Sequence, residues 1–289
     1  MEHHSNIVPW QLAAQLYGIE LVYWPITKEG QLDLALLDEL LTNSVKLITF
    51  TMVSNVLGSI NPVEQITEIA HSHGIPVLID SAQAVSRLPM EVSKWDCDFL
   101  AFSGHKIYGP TGIGVLYAKK ERMEEMLPFQ GGGGMINHVE KQFSTWAVPP
   151  QKFEAGTPPV AQVTGLKAAL EYVEQYGIKE IKRHENELTE HALNQLNLFP
   201  DLELYGPSEI QNRTGVVSFN LKNVHSHDVA QVLDENGISL RAGHHCTQVL
   251  HERLCVPATV RMSFGIYNDS SEIDRMFSAL DRVRDIFLD

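Results

Sequence analysis

The chain has 289 residues, of which 44% are hydrophobic and 20% are charged, a composition typical of a globular protein with a large core. Its 36 acidic residues outnumber its 22 basic residues and give a formal net charge of -14, which disfavours nucleic acids and anionic membranes as partners. Apolar runs such as residues 47–50 have the length of strands and are far shorter than the roughly 18 residues needed to span a bilayer. We therefore expect a soluble protein.

The first residues of the chain and its cysteines favour a reducing compartment inside the cell. Residues 1–4 have no basic start, and no long apolar stretch of the kind found in signal peptides follows them. The three cysteines, Cys97, Cys246 and Cys255, are odd in number and irregularly spaced, so free thiols are expected rather than a disulfide framework. A cytoplasmic location follows as the default prediction.

The first half of the chain alternates short runs rich in Val and Ile with segments of helical period. This alternation predicts parallel strands joined by crossover helices, and therefore an α/β fold. Gly74 follows a helical segment at the position of a C-cap. The predicted strands are residues 20–24, 47–53, 76–79, 99–102 and 114–118, and the predicted helices are residues 9–17, 34–41 and 63–73.

A glycine tract at residues 131–134, with Pro149 and Pro150 further on, interrupts the alternation. It predicts long loops, which serve either as functional segments or as a mobile linker. We expect a boundary after it, with a large domain over residues 1–160 and a smaller α+β domain over residues 161–289. In this second part the predicted helices are residues 160–176, 178–196, 227–235 and 271–287, and the predicted strands are residues 216–220, 239–241 and 260–264.

Lys106 closes the segment Ser103-Gly104-His105-Lys106, directly after the predicted strand 99–102. A lysine at the mouth of a buried sheet can lose its proton through desolvation, and its amine can then form a Schiff base with the carbonyl of a cofactor. Lysines that follow strands are also often plain solvated ends. The motif alone leaves both interpretations open.

Asp80 ends the predicted strand 76–79. In open α/β sheets, ligands bind at the carboxyl ends of parallel strands, and an aspartate there could hold the protonated pyridine nitrogen of pyridoxal phosphate (PLP). The alternative is a helix N-cap, for which aspartate is also favoured.

Residues 241–246, Arg-Ala-Gly-His-His-Cys, place a thiol beside two imidazoles and an arginine. Such neighbours can lower the pKa of Cys246 and favour the nucleophilic thiolate. A metal site and a buried apolar cysteine are the alternatives, although no second ligand cluster supports a metal. Arg261 lies within the predicted strand 260–264, where its guanidinium could hold an amino-acid carboxylate or form a surface ion pair.

Together these segments resemble the cysteine desulfurases of the class V aminotransferase family, in particular the SUF-type cysteine desulfurase/selenocysteine lyase branch. The resemblance covers essentially the whole chain and implies a PLP-dependent transferase fold of type I. It rests on residues 1–6, 53–58, 80–83, 103–106, 153–158 and 241–246. The short Arg-x-Gly-His-His-Cys segment is similar to the branch with a short catalytic loop.

The resemblance also implies a role for each matching residue. Lys106 would be the Schiff-base lysine and Cys246 the nucleophile, while Arg261 would hold the substrate carboxylate with Arg241 near the catalytic loop. No metal is implied. The residues that would contact PLP are His3 on its ring, Asp80 at its pyridine nitrogen, Asn55, Gln83 near its phenolic oxygen, Ser103 and His105 at its phosphate, and Thr157 at the phosphate of the neighbouring subunit of a homodimer.

The implied reaction converts L-cysteine, or L-selenocysteine, to alanine. The amine of Lys106 would remove the α-proton, and the thiolate of Cys246 would attack the substrate sulfur and become a persulfide. A sulfur-acceptor protein would then carry the sulfur towards iron–sulfur cluster assembly.

The family pattern has a substantial segment before the position of His3, including the loop that grips the PLP phosphate. We therefore expect weakened PLP binding by this chain alone. Three hypotheses follow: an active desulfurase; another PLP enzyme of the superfamily, such as a kynureninase-like hydrolase or an epimerase, which would not need Cys246; and a truncated, inactive remnant that pairs with a partner or a full-length subunit.

Overall fold

The computed structural model describes residues 1–288, which contain two four-stranded sheets and one two-stranded hairpin. Among these residues, no helix is both long and apolar enough to cross a membrane. The strands are β1 (Ile48–Thr51), β2 (Val77–Asp80), β3 (Phe99–Ser103), β4 (Gly114–Ala118), β5 (Ile136–Val139), β6 (Ser144–Trp146), β7 (Leu202–Tyr205), β8 (Val216–Leu221), β9 (Arg241–Gly243) and β10 (Thr259–Ser263). The helices are α1 (Val8–Tyr17), α2 (Leu37–Leu40), α3 (Val63–Ser72), α4 (Val92–Trp95), α5 (Lys120–Glu125), α6 (Val160–Tyr176), α7 (Ile178–Leu196), α8 (Ser226–Glu235), α9 (Gln248–Leu254) and α10 (Ser270–Phe287).

The first sheet has the strand order β1-β2-β3-β4. β1, β2 and β3 run parallel, and β4 pairs with β3 in the antiparallel direction. The parallel strands are joined by segments that contain α3, which the sequence pattern predicts, and α4, which it does not. Their side chains form one buried core with α3, in which Phe50, Ile66 and Ile79 are almost fully buried.

The second sheet is antiparallel and has the order β7-β8-β10-β9. Helices α7, α8 and α10 contribute to its core, in which Phe219, Leu233 and Leu280 have no solvent exposure. α10 begins with a capping box, because the Asp269 side chain accepts from backbone N–H groups of the first turn and Glu272 bonds back to the backbone N–H of Asp269.

Most predicted elements are present, and several match to within a residue. α6 and α7 have the predicted bounds, and Gly177 separates them with a φ of 81°. The prediction of a strand over residues 20–24 is wrong, since this segment has no regular secondary structure and pairs with no strand in the described part of the chain. The sequence patterns also missed β7, α4, α5, α9 and the β5–β6 hairpin, which follows the glycine tract, and the strand predicted at residues 239–241 shares only Arg241 with β9. The boundary proposed after residue 160 stays a prediction.

A buried carboxylate joins three elements at the amino-terminal edge of the first sheet. Asp98 is 1% exposed. It accepts hydrogen bonds from the backbone N–H of Val77 at 2.9 Å, from Nε of Arg122 at 2.9 Å, and pairs with Nε2 of His71 at 2.9 Å. Burial alone would raise the pKa of Asp98, but these hydrogen bonds outweigh it and keep the pKa below its ordinary value.

Asp98→Asn is expected to lower the free energy of unfolding by about 1–3 kcal/mol at neutral pH, because the amide cannot accept all of these bonds. Since the folded-state pKa is lowered, the contribution of the carboxylate is complete above the ordinary aspartate pKa of about 3.9 and is lost as the pH falls through the folded-state value. Urea unfolding at neutral pH and at stepwise lower pH measures the difference from the unsubstituted protein. The difference in free energy of unfolding should become smaller only below about pH 4. A difference that stays constant down to about pH 3 would contradict this account.

Candidate functional site

A chamber of about 600 Å³ lies between the carboxyl ends of the parallel strands and the second sheet. Its volume falls within the range of about 300–1,000 Å³ that is usual for small-molecule sites. β2 and β3 supply its floor, while β9, β10 and the loop after β9 supply the opposite wall. The predicted site residues that line it are His3, Asn55, Asp80, Gln83, Ser103, His105, Lys106, Arg241, Cys246 and Arg261.

Lys106 reaches the chamber from a tight 3-10 helix, Gly104–Ile107, that follows β3. A side chain at position 104 would collide with Ile113, since a Cβ there would lie 2.8 Å from the Ile113 side chain. Ile107 is buried against Leu166 and Val173 of α6, which fixes the turn. Burial lowers the pKa of Lys106, and the charge of Asp80 opposes this shift. The amine is therefore more easily deprotonated than that of a solvated lysine.

Asp80 is the last residue of β2, and its register partner in β1 is Thr51. Its Oδ1 accepts the backbone N–H of Ala82 at 2.9 Å. Residues 82–87 form turns rather than an α-helix, so Asp80 is not the N-cap of an α-helix. The half-buried carboxylate instead faces the chamber beside Lys106.

The Cys246 loop is held by the segment that begins the chain. The backbone N–H of His4 donates to the carbonyl oxygen of Cys246 at 2.8 Å, and Nε2 of His4 accepts the N–H of Gln248 at 3.1 Å. Both His245 and Cys246 have a left-handed backbone, with φ of 51° and 60°, a conformation that costs energy for residues other than glycine and is common at functional sites.

The alternatives for Cys246 find no support in this arrangement. Its side chain is neither fully buried nor fully exposed, and within residues 1–288 no group of three or more His, Cys, Asp or Glu side chains could hold a metal ion. Cys97 is buried, and burial raises the pKa of its thiol to about 11. Cys255 is exposed at the end of α9.

His3 lines the chamber from the segment that begins the chain. Its Nδ1 accepts the backbone N–H of Ser5 at 3.1 Å, so the proton of the neutral ring is carried by Nε2. Burial, followed by the charge of Lys106, lowers the pKa of His3. The ring is therefore neutral at physiological pH.

Arg241 of β9 is directly opposite Arg261 of β10 in the antiparallel register, so both side chains leave the same face of the sheet. Neither is among the arginines that pair with carboxylates in residues 1–288. Arg261 therefore forms no surface ion pair within residues 1–288. Burial, followed by the charge of Arg241, lowers the pKa of Arg261 to about 10. Two like charges in this position are unfavourable without an anion between them, and this arrangement favours an anionic ligand.

Asn55 connects these two parts of the wall. Its side-chain amide donates to the carbonyl oxygen of His245 at 2.9 Å, and its own carbonyl oxygen accepts from a terminal nitrogen of Arg261 at 2.9 Å. Asn55 is 6% exposed. The Cys246 loop and Arg261 are thus both fixed to the turn after β1.

Thr157 does not line the chamber and is exposed in the loop before α6. The sequence motifs did not assign roles to three further lining residues, Asn6, Trp10 and His245. Asn6 accepts from Trp10 at 3.1 Å and from Thr49 at 2.8 Å, which anchors the first segment to β1. In the sequence, these three residues are distinguished only because they lie within or close to the segments 1–6 and 241–246, which carry the family resemblance.

The chamber fits PLP in charge and donor set. Asp80 is the one carboxylate among its described lining residues, against the cationic Lys106, Arg241 and Arg261, in a protein with a net charge of -14. The buried Nε of Arg261 has no hydrogen-bond partner within residues 1–288. PLP has a phosphate for the positive charge, a ring nitrogen that could pair with Asp80 and a carbonyl that could react with the amine of Lys106, and the arginines remain available for the carboxylate of a substrate.

Comparison with known proteins agrees with this chemistry. Residues 1–276 match the family model described as aminotransferase class-V. A probable cysteine desulfurase of Streptomyces coelicolor is 48% identical over 287 residues, which is 99% of this chain and 69% of that protein. A cysteine desulfurase of an Escherichia coli strain is 48% identical over 284 residues, 98% of this chain and 69% of that protein.

A solved structure has the same fold. The crystal structure of the cysteine desulfurase CsdA from Escherichia coli superposes with a TM-score of 0.94 at 40% identity, over 99% of this chain and 71% of that one. The predicted fold class is thereby confirmed. The chain spans about 69% of the length of the curated relatives named above.

Proposed function

This chain belongs to the class V aminotransferase family, and we propose that it is a PLP-dependent cysteine desulfurase that supplies sulfur for iron–sulfur cluster assembly. The observation that carries the proposal is that the amine of Lys106 and the thiol of Cys246 line one chamber. An amine that binds a carbonyl cofactor and a thiol that accepts sulfur are the two groups the reaction needs from the protein.

We assign the cofactor contacts as follows. Lys106 would bind the PLP carbonyl, Asp80 its pyridine nitrogen, and Ser103 and His105 its phosphate. His3 would cover the ring, and Gln83 and Asn55 would complete the pocket. When bound, PLP supplies an electron sink for the charge that develops at the α-carbon of an amino acid.

Lys106 and Asp80 control the protons. The carboxylate of Asp80 would favour a protonated ring nitrogen of bound PLP through its negative charge. The amine of Lys106, whose pKa burial lowers, takes the α-proton of the substrate at Nζ. Arg261 orients the substrate by binding its carboxylate, and Arg241 adds positive charge on the same face.

Cys246 carries out the sulfur step. Its thiolate attacks the substrate sulfur, so a sulfur–sulfur bond forms while the carbon–sulfur bond of the substrate breaks. The electron pair of the broken bond stays with the carbon fragment, which takes up a proton and leaves as alanine. One L-cysteine and one thiol thus give one alanine and one persulfide on Cys246, and the atoms balance.

The partners belong to the same proposal. The persulfide would pass to a sulfur-acceptor protein, and L-selenocysteine is a second possible substrate class. Thr157 would reach the phosphate bound in the neighbouring subunit of a homodimer, and its exposure supports a role outside its own chamber. Exposed apolar side chains on α1, among them Leu12 and Leu16, are typical of surfaces that bind another protein. The three free thiols support a cytoplasmic location.

An absorption spectrum of the purified protein with PLP, before and after L-cysteine, tests the proposal. We expect the band of a lysine-bound cofactor, its change on addition of L-cysteine, release of alanine, and one extra sulfur on the peptide that contains Cys246 by mass spectrometry. Turnover of amino acids without this persulfide would favour a different class V enzyme. Absence of both the band and turnover would favour an inactive subunit.

A further inference from the structure

A chain of buried hydrogen bonds lies behind the Cys246 loop and links His251, Thr259 and His245. All three residues are at most 4% exposed. Nδ1 of His251 is 3.1 Å from the carbonyl oxygen of Thr247, and its Nε2 is 3.2 Å from Oγ1 of Thr259. Nε2 of His245 lies 3.0 Å from the carbonyl oxygen of Thr259 and 3.2 Å from its Oγ1.

The backbone carbonyls at both ends fix the direction of this chain. A carbonyl oxygen can only accept, so Nδ1 of His251 carries its proton and Nε2 is bare. The hydroxyl of Thr259 therefore donates to His251, and Nε2–H of His245 donates to Thr259. Nδ1 of His245 is consequently a bare acceptor. Burial, followed by the charge of Arg261, lowers the pKa of His245 to about 3, which agrees with a neutral ring.

The bare nitrogen of His245 has no hydrogen-bond partner within residues 1–288, although it is buried and the residue lines the chamber. A second unsatisfied group of the same wall has the opposite polarity, because Nε–H of Arg261 is a buried donor without a partner. Asn55 binds both residues. Its side-chain amide donates to the backbone carbonyl oxygen of His245, and its own backbone carbonyl oxygen accepts from Arg261, each at 2.9 Å. The charge of Arg261 also acts on the ring of His245, so the two unsatisfied atoms belong to residues that are close together.

We propose that His245 is a positioning residue for Arg261, whose Nε–H donates to Nδ1 of His245, directly or through one bridging water, when a substrate carboxylate occupies the guanidinium. One bond then satisfies a buried donor and a buried acceptor together. One terminal N–H of Arg261 binds the carbonyl oxygen of Asn55. The remaining terminal N–H groups stay free to hold the substrate carboxylate. The histidine tautomer, set by Thr259 and His251, decides that Nδ1 accepts rather than donates.

The inference rests on the proposed function, and His245→Gln tests it in the PLP-loaded protein. Glutamine can place a nitrogen where Nε2 of histidine meets Thr259, but it has no acceptor at the position of Nδ1. We expect the dissociation constant of L-alanine, measured by calorimetry, to rise about tenfold, with unchanged binding of ethylamine, which lacks a carboxylate. The KM for L-cysteine should rise similarly while kcat changes by less than about twofold.

His245→Asn is the matched variant, because its side-chain oxygen replaces Nδ1 while the bond to Thr259 is lost. It should recover part of the affinity for L-alanine, even if its thermal midpoint is lower than that of His245→Gln. Equal weakening of L-alanine and ethylamine by His245→Gln, or no weakening of either, would overturn the proposal. So would a rise in KM for His245→Gln in a background that already carries Arg261→Lys.

A second measurement needs no cofactor and separates failure of this inference from failure of the proposed function. In protein labelled with ¹⁵N-histidine, long-range proton–nitrogen spectra should show His245 with a bare Nδ1 and a protonated Nε2 between about pH 6 and pH 8. With acetate added as a carboxylate probe, the Nδ1 resonance should shift, and Arg261→Lys should abolish that shift. A protonated Nδ1, or an acetate response that depends on Cys246 rather than on Arg261, would contradict the assignment.

Discussion

Cys246→Ala is expected to lower the rate of alanine formation from L-cysteine by about 10³-fold or more, because the variant has no thiolate to receive the sulfur. Cofactor binding should be preserved, since the side chain of Cys246 is not needed to hold PLP. The left-handed backbone at this position, where φ is 60°, costs alanine no more conformational energy than it costs cysteine. Steady-state alanine release and the cofactor absorption band measure the two effects separately.

Cys255→Ala is the matched control. Cys255 also has a left-handed backbone, with φ of 58°, but it is exposed at the far end of α9 and does not line the chamber. We expect it to retain full activity and the persulfide on Cys246. Equal losses in the two variants would indicate a general effect of thiol removal, and full activity of Cys246→Ala would favour a class V hydrolase or epimerase instead.

The sequence predicted those elements of the fold whose pattern is long or repeated. α6 and α7 have sustained helical period, and β1, β2 and β3 are apolar runs between helices, so their positions depend little on the rest of the chain. The segment 20–24 has the aromatic and β-branched residues of a strand, but a strand also needs a neighbour, and none pairs with it in residues 1–288. The β5–β6 hairpin is short and exposed, so no buried face marks it in the sequence.

The same distinction holds for the site. Lys106, Asp80 and Cys246 stand in contiguous motifs, and the chain brings them together because β2 and β3 end at one edge of the sheet and the loop after β9 faces that edge. The hydrogen bonds that fix His245 could not be predicted, because Thr259, which links it to His251, becomes its neighbour only through the pairing of β9 with β10. Motifs show which groups react, whereas their tautomers and partners depend on tertiary contacts.

One of the contacts between the two sheets is a buried ion pair that no motif indicated. Arg87, in the turns after β2, contacts the carboxylate of Glu185 in α7 and donates to the carbonyl oxygen of Phe264 at 3.3 Å, just after β10. Glu185 is 5% exposed, and Gly215 leaves the space for it, since a Cβ at 215 would lie 2.4 Å from its side chain. Burial lowers the pKa of Arg87 to about 10. The pair therefore connects the strand that carries Asp80 to the strand that carries Arg261.

Glu185→Gln is expected to lower the free energy of unfolding by about 3–5 kcal/mol, because it leaves the guanidinium of Arg87 buried without a counter-charge. Glu187→Gln, two residues further along α7, removes one of the two carboxylate partners of Arg183, in a pair whose side chains are 61% and 59% exposed, and should cost no more than about 1 kcal/mol. Urea unfolding measures both. The cost of Glu185→Gln comes from an unpaired charge. The double variant Arg87→Met/Glu185→Leu, which removes both charges, should therefore be clearly more stable than Glu185→Gln. If Glu185→Gln costs no more than Glu187→Gln, the Arg87–Glu185 pair does not help to hold the two sheets together. Their relative position would then depend on the other contacts between them, such as the hydrogen bonds of Asn55 to His245 and Arg261 and of Ser218 to Val56.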